Sequence, residues 1–261
     1  MKAVVLAGGK GTRLAPYTHI LPKPLMPIGE MPILEVLLRQ MKRSGIHEVI
    51  VTVGHLSHLL ESYFQDGTRW DVKVSYSHEE SPLGTAGPLS LIQGLDETFL
   101  VTNGDVLTTL DLRDLVRFHK SQNAIATIAS HKRQVRIDLG VIERALNCRA
   151  NGNASKVRTC DYADRCEFWQ GGCAVTGYKE KPTIDYVVSM GVYVFEPRAL
   201  EYIPKNQYLD FPNLVLKLIA AEKKVVYLPY KGYWKDLGRP DDYEEAAQDF
   251  SKMRAEFLPE E

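Results

Sequence analysis

Short apolar runs alternate with amphipathic stretches of helical spacing throughout the first half of this sequence. Residues 2–6 predict a buried strand, and residues 32–44 predict a helix that Gly45 ends. The strands predicted after these are 48–53, 72–77, 98–102, 124–130, 189–195 and 225–228, and the helices are 55–64, 87–95, 112–121, 211–223 and 240–253. This alternation indicates an α/β fold, with a parallel sheet covered by helices on both faces.

A different pattern begins near residue 137. Residues 137–144 and 174–180 are predicted to be the two arms of a hairpin. The polar stretch between them, 146–173, shows no clear period, so we interpret it as a long loop or small excursion. It holds all four cysteines: Cys148, Cys160, Cys166 and Cys173. They form no Cys-x-x-Cys pair, which favours ordinary thiols and leaves a zinc site as the alternative.

The length and charge of the chain limit its classes of partner. Its 261 residues suit one large domain or two small ones, and a hydrophobic content of 44% is enough for a sizeable core. The formal net charge of -1 favours neither nucleic acid nor a membrane as partner, so an anion must be bound by local cations. The first apolar run is too short for a signal peptide and no window could span a bilayer, so a cytoplasmic location is expected.

A glycine-rich loop follows the first predicted strand. It contains Gly8, Gly9 and Gly11, then Arg13, and then Lys23 between two prolines. Ligands of open parallel sheets bind beyond the carboxyl ends of the strands, which is where this loop lies. Glycines let backbone N–H groups approach an anion closely, and an arginine adds a bidentate fork. The loop therefore predicts phosphate binding, with a flexible turn carrying solvated cations as the alternative.

Two well-known glycine motifs do not fit this loop. The dinucleotide pattern Gly-x-Gly-x-x-Gly begins at Gly9 but has Leu14 at its third position. The second predicted strand also ends at Val53 without the acidic residue that binds a ribose. The Walker A spacing is missing as well. A nicotinamide-binding domain is thus a weak alternative.

Five blocks of the sequence, in order, carry a resemblance to a known family. They are LAGGKGTRL with PKPLMPIG (6–14 and 22–29), SPLGTAGPL (81–89), NGD (103–105), EKP (180–182) and WKDLGRPDDY (234–243). Together they resemble the sugar-1-phosphate nucleotidylyltransferases, or NDP-sugar pyrophosphorylases, and are most similar to the mannose-1-phosphate guanylyltransferase branch. The match covers nearly the whole chain apart from 146–173, and the order of the blocks makes it specific.

The resemblance implies a Rossmann-like, mainly parallel sheet with a small β-rich part that binds the sugar. It implies one nucleotidyltransferase domain over 1–261, in which 1–130 mainly bind the nucleotide and 131–240 mainly bind the sugar phosphate. In the implied reaction, a sugar-1-phosphate oxygen attacks the α-phosphorus of an NTP and pyrophosphate leaves. Because both reactants are anionic, the protein must supply positive charge and in-line geometry.

The resemblance also assigns the charged residues. Arg13 would grip the β- and γ-phosphates, and Lys23 would stabilise charge at the α-phosphate. Asp105 and Asp236 would hold Mg²⁺, which prefers carboxylate oxygens. Taken alone, Asp105 could instead form a turn after Asn-Gly, and Asp236 could cap the helix predicted from residue 240.

Binding residues follow from the same resemblance. The nucleotide would lie against Leu6, Ala7, Gly8, Gly9, Gly11, Thr12, Pro82, Gly84, Thr85 and Gly104. Thr85 is also a candidate cap for the helix predicted over 87–95, and Glu79 is a candidate contact for the base or ribose. Lys181 would bind the sugar phosphate and Glu180 the sugar hydroxyls, with an exposed ion pair as the alternative. Gly140 and Gly191 would let the sugar approach the backbone.

The substrate pair is less constrained than the reaction. The similarity favours GTP with a mannose- or heptose-type sugar phosphate, and thymidylyl, uridylyl or cytidylyl transfer stays open. No left-handed β-helix is expected after the last predicted helix. A non-catalytic subunit that senses nucleotide sugars is the alternative to an enzyme. Such a subunit would be expected to lack Arg13, Lys23, Asp105 or Asp236, but all four are present. A homo-oligomer, dimer or tetramer, is expected.

Overall fold

The computed structural model describes residues 1–144 and 175–259. In this part of the chain the strands are β1 (Lys2–Leu6), β2 (Pro27–Ile28), β3 (Met31–Pro32), β4 (Glu48–Val53), β5 (Lys73–His78), β6 (Phe99–Asn103), β7 (Val106–Thr108), β8 (Ala126–Arg136), β9 (Val141–Arg144), β10 (Val175–Lys179), β11 (Thr183–Phe195), β12 (Val225–Tyr230) and β13 (Trp234–Asp236). The helices are α1 (Ile33–Arg43), α2 (Ser57–Phe64), α3 (Leu112–Gln122), α4 (Phe211–Ala220) and α5 (Pro240–Phe257). The predicted cysteine-bearing loop, 146–173, lies outside the described residues.

Seven of the described strands form one sheet in the order β12-β8-β11-β6-β1-β4-β5. β1 pairs in parallel with β4 and β6, β4 with β5, and β12 with β8, whereas β11 runs antiparallel to β6. The predicted α/β class and mainly parallel sheet are confirmed. The hairpin arms are found as the antiparallel pair β9 and β10.

The described residues form two compact units. One comprises residues 1–131 and 188–261, of which residues up to 259 are described, and the other comprises 132–187. β8 ends in the smaller unit and β11 begins in it. Both strands are therefore longer than the predicted strands 124–130 and 189–195. The division of nucleotide and sugar-phosphate binding between two halves of the chain stays a prediction.

Alternating side chains of β1 enter cores on opposite faces of the sheet. Ala3 and Val5 pack in a cluster with residues of α1, α2 and α3, whereas Val4 packs with residues of α4. All three side chains are fully buried. A further cluster joins α5 to α1 and β2. Helices therefore cover both faces, and every residue in the middle of β1 must be apolar.

The end of α1 follows the predicted glycine stop. Gly45 has a φ of +75°, and its N–H donates to the carbonyl of Lys42 (2.9 Å). The N–H of buried Ile46 donates to the carbonyl of Met41 (2.9 Å). This pair of bonds is a Schellman motif, in which glycine adopts the left-handed conformation at low cost.

The segment predicted to be helical over 87–95 is helical only over its first five residues. The structure has a short 3-10 helix, Gly87–Leu91, and Ile92 returns to an extended conformation. Gly94 has a φ of +75°, which is outside the helical region, so the helix does not reach residue 95.

The amide of Gln40 on α1 connects two distant parts of the larger unit. Its Nε2 donates to the carbonyl of Thr108 at the end of β7 (2.8 Å) and to the carbonyl of Phe257 at the end of α5 (3.1 Å). Gln40 is 2% exposed, so these bonds satisfy a buried amide.

Over the described residues, no helix combines the length and apolar character that crossing a membrane requires.

Candidate active site

Three parallel strands end at one edge of the sheet. Leu6, the last residue of β1, pairs with Thr52 of β4 and with Asn103 of β6. The chain leaving these strands stays in register, because Ala7 N–H donates to the Thr52 carbonyl (3.0 Å) and Gly104 N–H donates to the Leu6 carbonyl (2.9 Å). Loops that are far apart in sequence therefore meet at this edge.

A cleft of about 500 Å³ opens at this place, and we call it the carboxyl-edge cleft. Its lining includes Leu6, Ala7, Gly8, Gly9, Gly11, Thr12, Arg13, Lys23, Thr52, Glu79, Pro82, Gly84, Thr85, Asn103, Gly104, Asp105, Tyr208, Asp210 and Asp236. All ten predicted nucleotide-binding residues and all four predicted charged residues are among them. Every lining residue belongs to the larger unit.

Asp105 and Asp236, which we call the aspartate pair, are neighbours because two short strands join them. β13 pairs antiparallel with β7, so that Asp236 lies opposite Val106. The N–H of Leu237 also donates to the carbonyl of Asp105 (3.0 Å). Residues 131 positions apart in the sequence are thereby held at one end of the carboxyl-edge cleft.

The aspartate pair has oxygens that could hold a cation. Oδ1 of Asp105 and Oδ1 of Asp236 are each buried without a hydrogen-bond partner among the described residues. A buried carboxylate oxygen without a partner is costly, and Mg²⁺ prefers such oxygens. Residues 1–144 and 175–259 contain no group of three or more His, Cys, Asp or Glu arranged to hold a metal ion. Mg²⁺ is commonly bound by one or two carboxylates, with water and phosphate oxygens as its other ligands, and the aspartate pair could supply the carboxylates.

Lys23 contacts the same two aspartates. Its Nζ contacts Oδ2 of Asp105 directly and lies 3.6 Å from Oδ1 of Asp236. Lys23 is only 8% exposed, and it lies on a 3-10 helix, Lys23–Leu25. One ammonium thus faces two carboxylates at the end of the cleft.

The guanidinium of Arg13 lies close to the aspartate pair. A Cβ placed on Gly238 would lie 2.8 Å from Arg13 Nη2 and 2.8 Å from Asp236 Oδ1. A side chain at residue 238 would therefore require the Arg13 guanidinium or the Asp236 carboxylate to shift. Arg13 is itself exposed, so its fork of donors is available to an anion in the cleft.

Another part of the cleft lining is fastened to α4. Thr85 N–H donates to Oδ1 of Asp210 (3.0 Å), and Phe211 N–H donates to Oγ1 of Thr85 (2.8 Å). Gly84 has a φ of +79°, and a Cβ there would lie 2.7 Å from the carbonyl of Leu209. The sequence predicted that Thr85 caps the segment that follows it. The structure shows that Thr85 caps α4 instead, because residues 83–87 pack against the start of α4.

Thr85→Ala is expected to lower the free energy of unfolding by about 1 kcal/mol, because the first turn of α4 loses its side-chain cap. Thr85→Ser keeps the hydroxyl and is expected to stay near the wild-type value. Chemical denaturation of the three proteins checks this. Equal losses in both variants would contradict the capping role.

Glu79 lies in the same part of the cleft lining. Leu83 N–H donates to its Oε2 (3.1 Å), and burial raises the pKa of its carboxyl. Its other oxygen approaches Gly8 on the glycine-rich loop so closely that a Cβ there would collide with it. Oγ1 of the neighbouring Thr52 is buried without a hydrogen-bond partner among the described residues. These groups offer polar contacts to a ligand in this part of the cleft.

Residues 2–253 of the chain match the family model for nucleotidyl transferases. The chain belongs to the nucleotidyl transferase family. It is 34% identical to the UTP--glucose-1-phosphate uridylyltransferase of Synechocystis sp., over 94% of this chain and 62% of that protein. It is 32% identical to the mannose-1-phosphate guanylyltransferase of Mycobacterium tuberculosis, over 95% of this chain and 64% of that protein. The chain thus spans less than two thirds of the length of these relatives.

A solved structure shares the fold of this chain. HddC from Yersinia pseudotuberculosis, complexed with GMP-PN, superposes with a TM-score of 0.65 at 22% sequence identity. The comparison covers 95% of this chain and 99% of the HddC chain. The predicted family resemblance and the Rossmann-like architecture are confirmed by these comparisons.

The predicted sugar-phosphate residues of this chain divide between the two units. Gly140, Glu180 and Lys181 belong to the smaller unit, where Glu180 and Lys181 directly follow β10. Gly191 belongs to the larger unit and lies on β11 next to the side chain of Asn103. The role of all four residues stays a prediction.

Sequence reasoning missed Tyr208 and Asp210. The Tyr208 hydroxyl donates to Oδ2 of Asp210 (2.6 Å), and this bond raises the pKa of Tyr208 and lowers that of Asp210. The side chain of Tyr208 is 63% exposed and lines the cleft. No local signal marks these residues, since their place depends on hydrogen bonds to Thr85, 125 positions away.

Proposed function

We propose that this protein transfers a nucleotidyl group from an NTP to a sugar-1-phosphate and releases pyrophosphate. One observation carries the proposal: the glycine-rich loop, Arg13, Lys23 and the aspartate pair line a single cleft in a chain of the nucleotidyl transferase family. The non-catalytic alternative has less support, because a sensing subunit has no need for this whole set of charges.

The cations of the cleft suit a reaction between two anions. Lys23 would lie at the α-phosphate and stabilise charge that develops during attack. Arg13 would bind the β- and γ-phosphates through its planar fork and hold the departing pyrophosphate. Backbone N–H groups of the glycine-rich loop would orient the phosphates for in-line displacement.

We infer that the aspartate pair holds Mg²⁺. The two buried oxygens without hydrogen-bond partners support this assignment. When bound, the ion would neutralise phosphate charge. Asp105 and Asp236 would fix its position, and the short strands β7 and β13 would keep their carboxylates close together.

Four residues are proposed to bind the sugar phosphate. Lys181 would contact its phosphate, and Glu180 would accept hydrogen bonds from the sugar hydroxyls. Gly140 and Gly191 would allow close approach of the ring. These roles rest on the matching blocks of the sequence, and the sugar is proposed to be of the mannose or heptose type.

Glu79 favours guanine as the base. Guanine presents adjacent N–H donors, which one carboxylate can accept together, whereas uracil and thymine present one N–H between two carbonyls. A half-buried carboxylate with a raised pKa gains from two such donors, because they offset its loss of hydration. The curated guanylyltransferase relative adds support, and the uridylyltransferase relative makes UTP the second candidate.

Glu79→Gln is expected to lower kcat/KM for GTP by about tenfold to a hundredfold and to raise the relative use of UTP. The substitution replaces one carboxylate oxygen, an acceptor, with an NH₂ group, a donor. The new donor can bind a carbonyl oxygen of uracil but faces the N–H donors of guanine unfavourably. Competition between GTP and UTP, with pyrophosphate release as readout, measures the ratio. Glu80→Gln is the matched control, because Glu80 is exposed next to Glu79. An unchanged ratio in Glu79→Gln would argue against this role.

A substrate panel tests the reaction itself. GTP, UTP, dTTP and CTP are each incubated with Mg²⁺ and with mannose-, glucose- or heptose-1-phosphate, and pyrophosphate is measured. Turnover is expected in at least one combination, with GTP the best nucleotide. If no combination reacts, the proposed activity is wrong. Light scattering on the same preparation shows whether the expected dimer or tetramer forms.

A further inference from the structure

Lys23 is held at the aspartate pair by a fixed backbone. Pro22 and Pro24 flank it, and the N–H of Leu25 donates to the carbonyl of Pro22 (2.8 Å). The N–H of buried Met26 donates to the carbonyl of Lys23 (3.0 Å). Proline restricts the backbone, so only the four-carbon side chain can relocate the ammonium.

The ammonium lies beside the position that a cation bound by both aspartates would take. Nζ contacts Oδ2 of Asp105 and is 3.6 Å from Oδ1 of Asp236. A divalent cation bound by both carboxylates lies about 2.1 Å from its oxygen ligands. Such an ion would be a near neighbour of the Lys23 ammonium, and two cations in a partly buried site repel each other.

We propose that Lys23 acts as a built-in competitor for the metal in the nucleotide-free protein, and that nucleotide phosphate releases this competition by attracting the ammonium. The inference rests on the proposed function and adds a property that the reaction does not require. Lys23 balances part of the charge of the aspartate pair before substrate arrives. It then exchanges a carboxylate partner for a phosphate partner in the same cleft.

A coupling between two ligands follows from this exchange. Phosphate binding draws the Lys23 ammonium away and frees Asp105 and Asp236 for the cation. The bound cation in turn repels the ammonium and favours the conformation in which the Lys23 side chain points to phosphate. By linkage, each ligand must raise the affinity for the other by the same factor. The free protein would therefore hold divalent cations weakly although its carboxylates are already assembled.

Mn²⁺ binding to the nucleotide-free protein tests the proposal. Mn²⁺ is titrated into wild type and Lys23→Met, and the free ion is measured by electron paramagnetic resonance. The variant is expected to bind Mn²⁺ at least about tenfold more tightly, since removing a charge within 4–6 Å commonly changes a neighbouring ionic equilibrium by one to three powers of ten. Lys23→Gln serves as a second variant if Lys23→Met does not fold.

Two controls separate this mechanism from a general change of charge. Lys10→Met removes one positive charge from the same loop, but Lys10 is exposed and does not line the cleft. It is expected to leave Mn²⁺ affinity within about twofold of wild type. Adding Asp105→Asn to Lys23→Met is expected to abolish the gain.

Equal affinities in wild type and Lys23→Met would overturn the proposal, and so would an equal gain in Lys10→Met. Neither result depends on turnover, because no nucleotide is present. A protein that shows the gain and yet fails every combination of the substrate panel would refute the proposed function and leave this inference standing.

Discussion

Asp105→Asn is expected to lower kcat by about a thousandfold or more, the largest effect of any substitution considered for this cleft. Asparagine keeps the size of the side chain and removes its charge, so the aspartate pair retains one carboxylate. Lys23 also loses the carboxylate that it contacts directly. Pyrophosphate release measures the loss, with GTP and sugar phosphate at saturation.

The fold must be monitored in the same experiment, because removing one partner of a buried ion pair can destabilise a protein. Thermal unfolding of Asp105→Asn is expected to stay cooperative. Asp114→Asn is the matched control, since Asp114 lies on α3 outside the cleft and is 54% exposed in its side chain. A cooperatively folded Asp105→Asn with wild-type kcat would refute the metal assignment.

Arg13→Met is expected to lower kcat by about a hundredfold to a thousandfold, the second largest effect. The substitution removes a fork of donors that would hold the leaving pyrophosphate, and the long apolar side chain still fills the space beside Gly238. Arg13→Lys restores the charge without the fork, so it is expected to recover only part of the lost activity. Initial rates of pyrophosphate release give the three values of kcat.

Arg117→Met controls for the loss of one positive charge. Arg117 is on α3, is 78% exposed in its side chain, and does not line the cleft. Its substitution is expected to leave kcat unchanged. If Arg13→Met and Arg117→Met behave alike, Arg13 has no role at the phosphates, and the leaving group would have to be stabilised by backbone N–H groups of the loop alone.

Local patterns predicted much of the larger unit. β1 has the bounds expected from its apolar run, and α1 ends at the predicted glycine. These features depend on residues next to each other in sequence, so composition and period are enough to identify them. The glycine-rich loop was also found this way, because its place after β1 follows from the topology of a parallel sheet.

Long-range pairing could not be predicted from the same patterns. β7 and β13 have three residues each, which is too short for a periodic signal, yet they bring Asp105 next to Asp236. The contact of Lys23 with Asp105 spans 82 positions of the sequence. Family resemblance supplied the identity of these residues, and only the structure supplied their mutual contacts.

The wall of the cleft near Thr85 also depends on tertiary contacts. The sequence alone predicted Thr85 as the cap of its own segment, because threonine is a common N-cap residue. Packing against α4 changed its partner to Phe211. Tyr208 and Asp210 entered the cleft through the same packing, and nothing in their immediate sequence marks them.

The reciprocal bonds between Thr85 and α4 have a consequence for local unfolding. The amide proton of Thr85 is protected by the side chain of Asp210, and that of Phe211 by the side chain of Thr85. A backbone bond also joins the two segments, since the N–H of Leu209 donates to the carbonyl of Leu83 (2.9 Å), so the segments are expected to open together. Segment 83–87 and the first turn of α4 therefore belong to one cooperative opening unit, and a ligand that stabilises either segment slows hydrogen exchange in both.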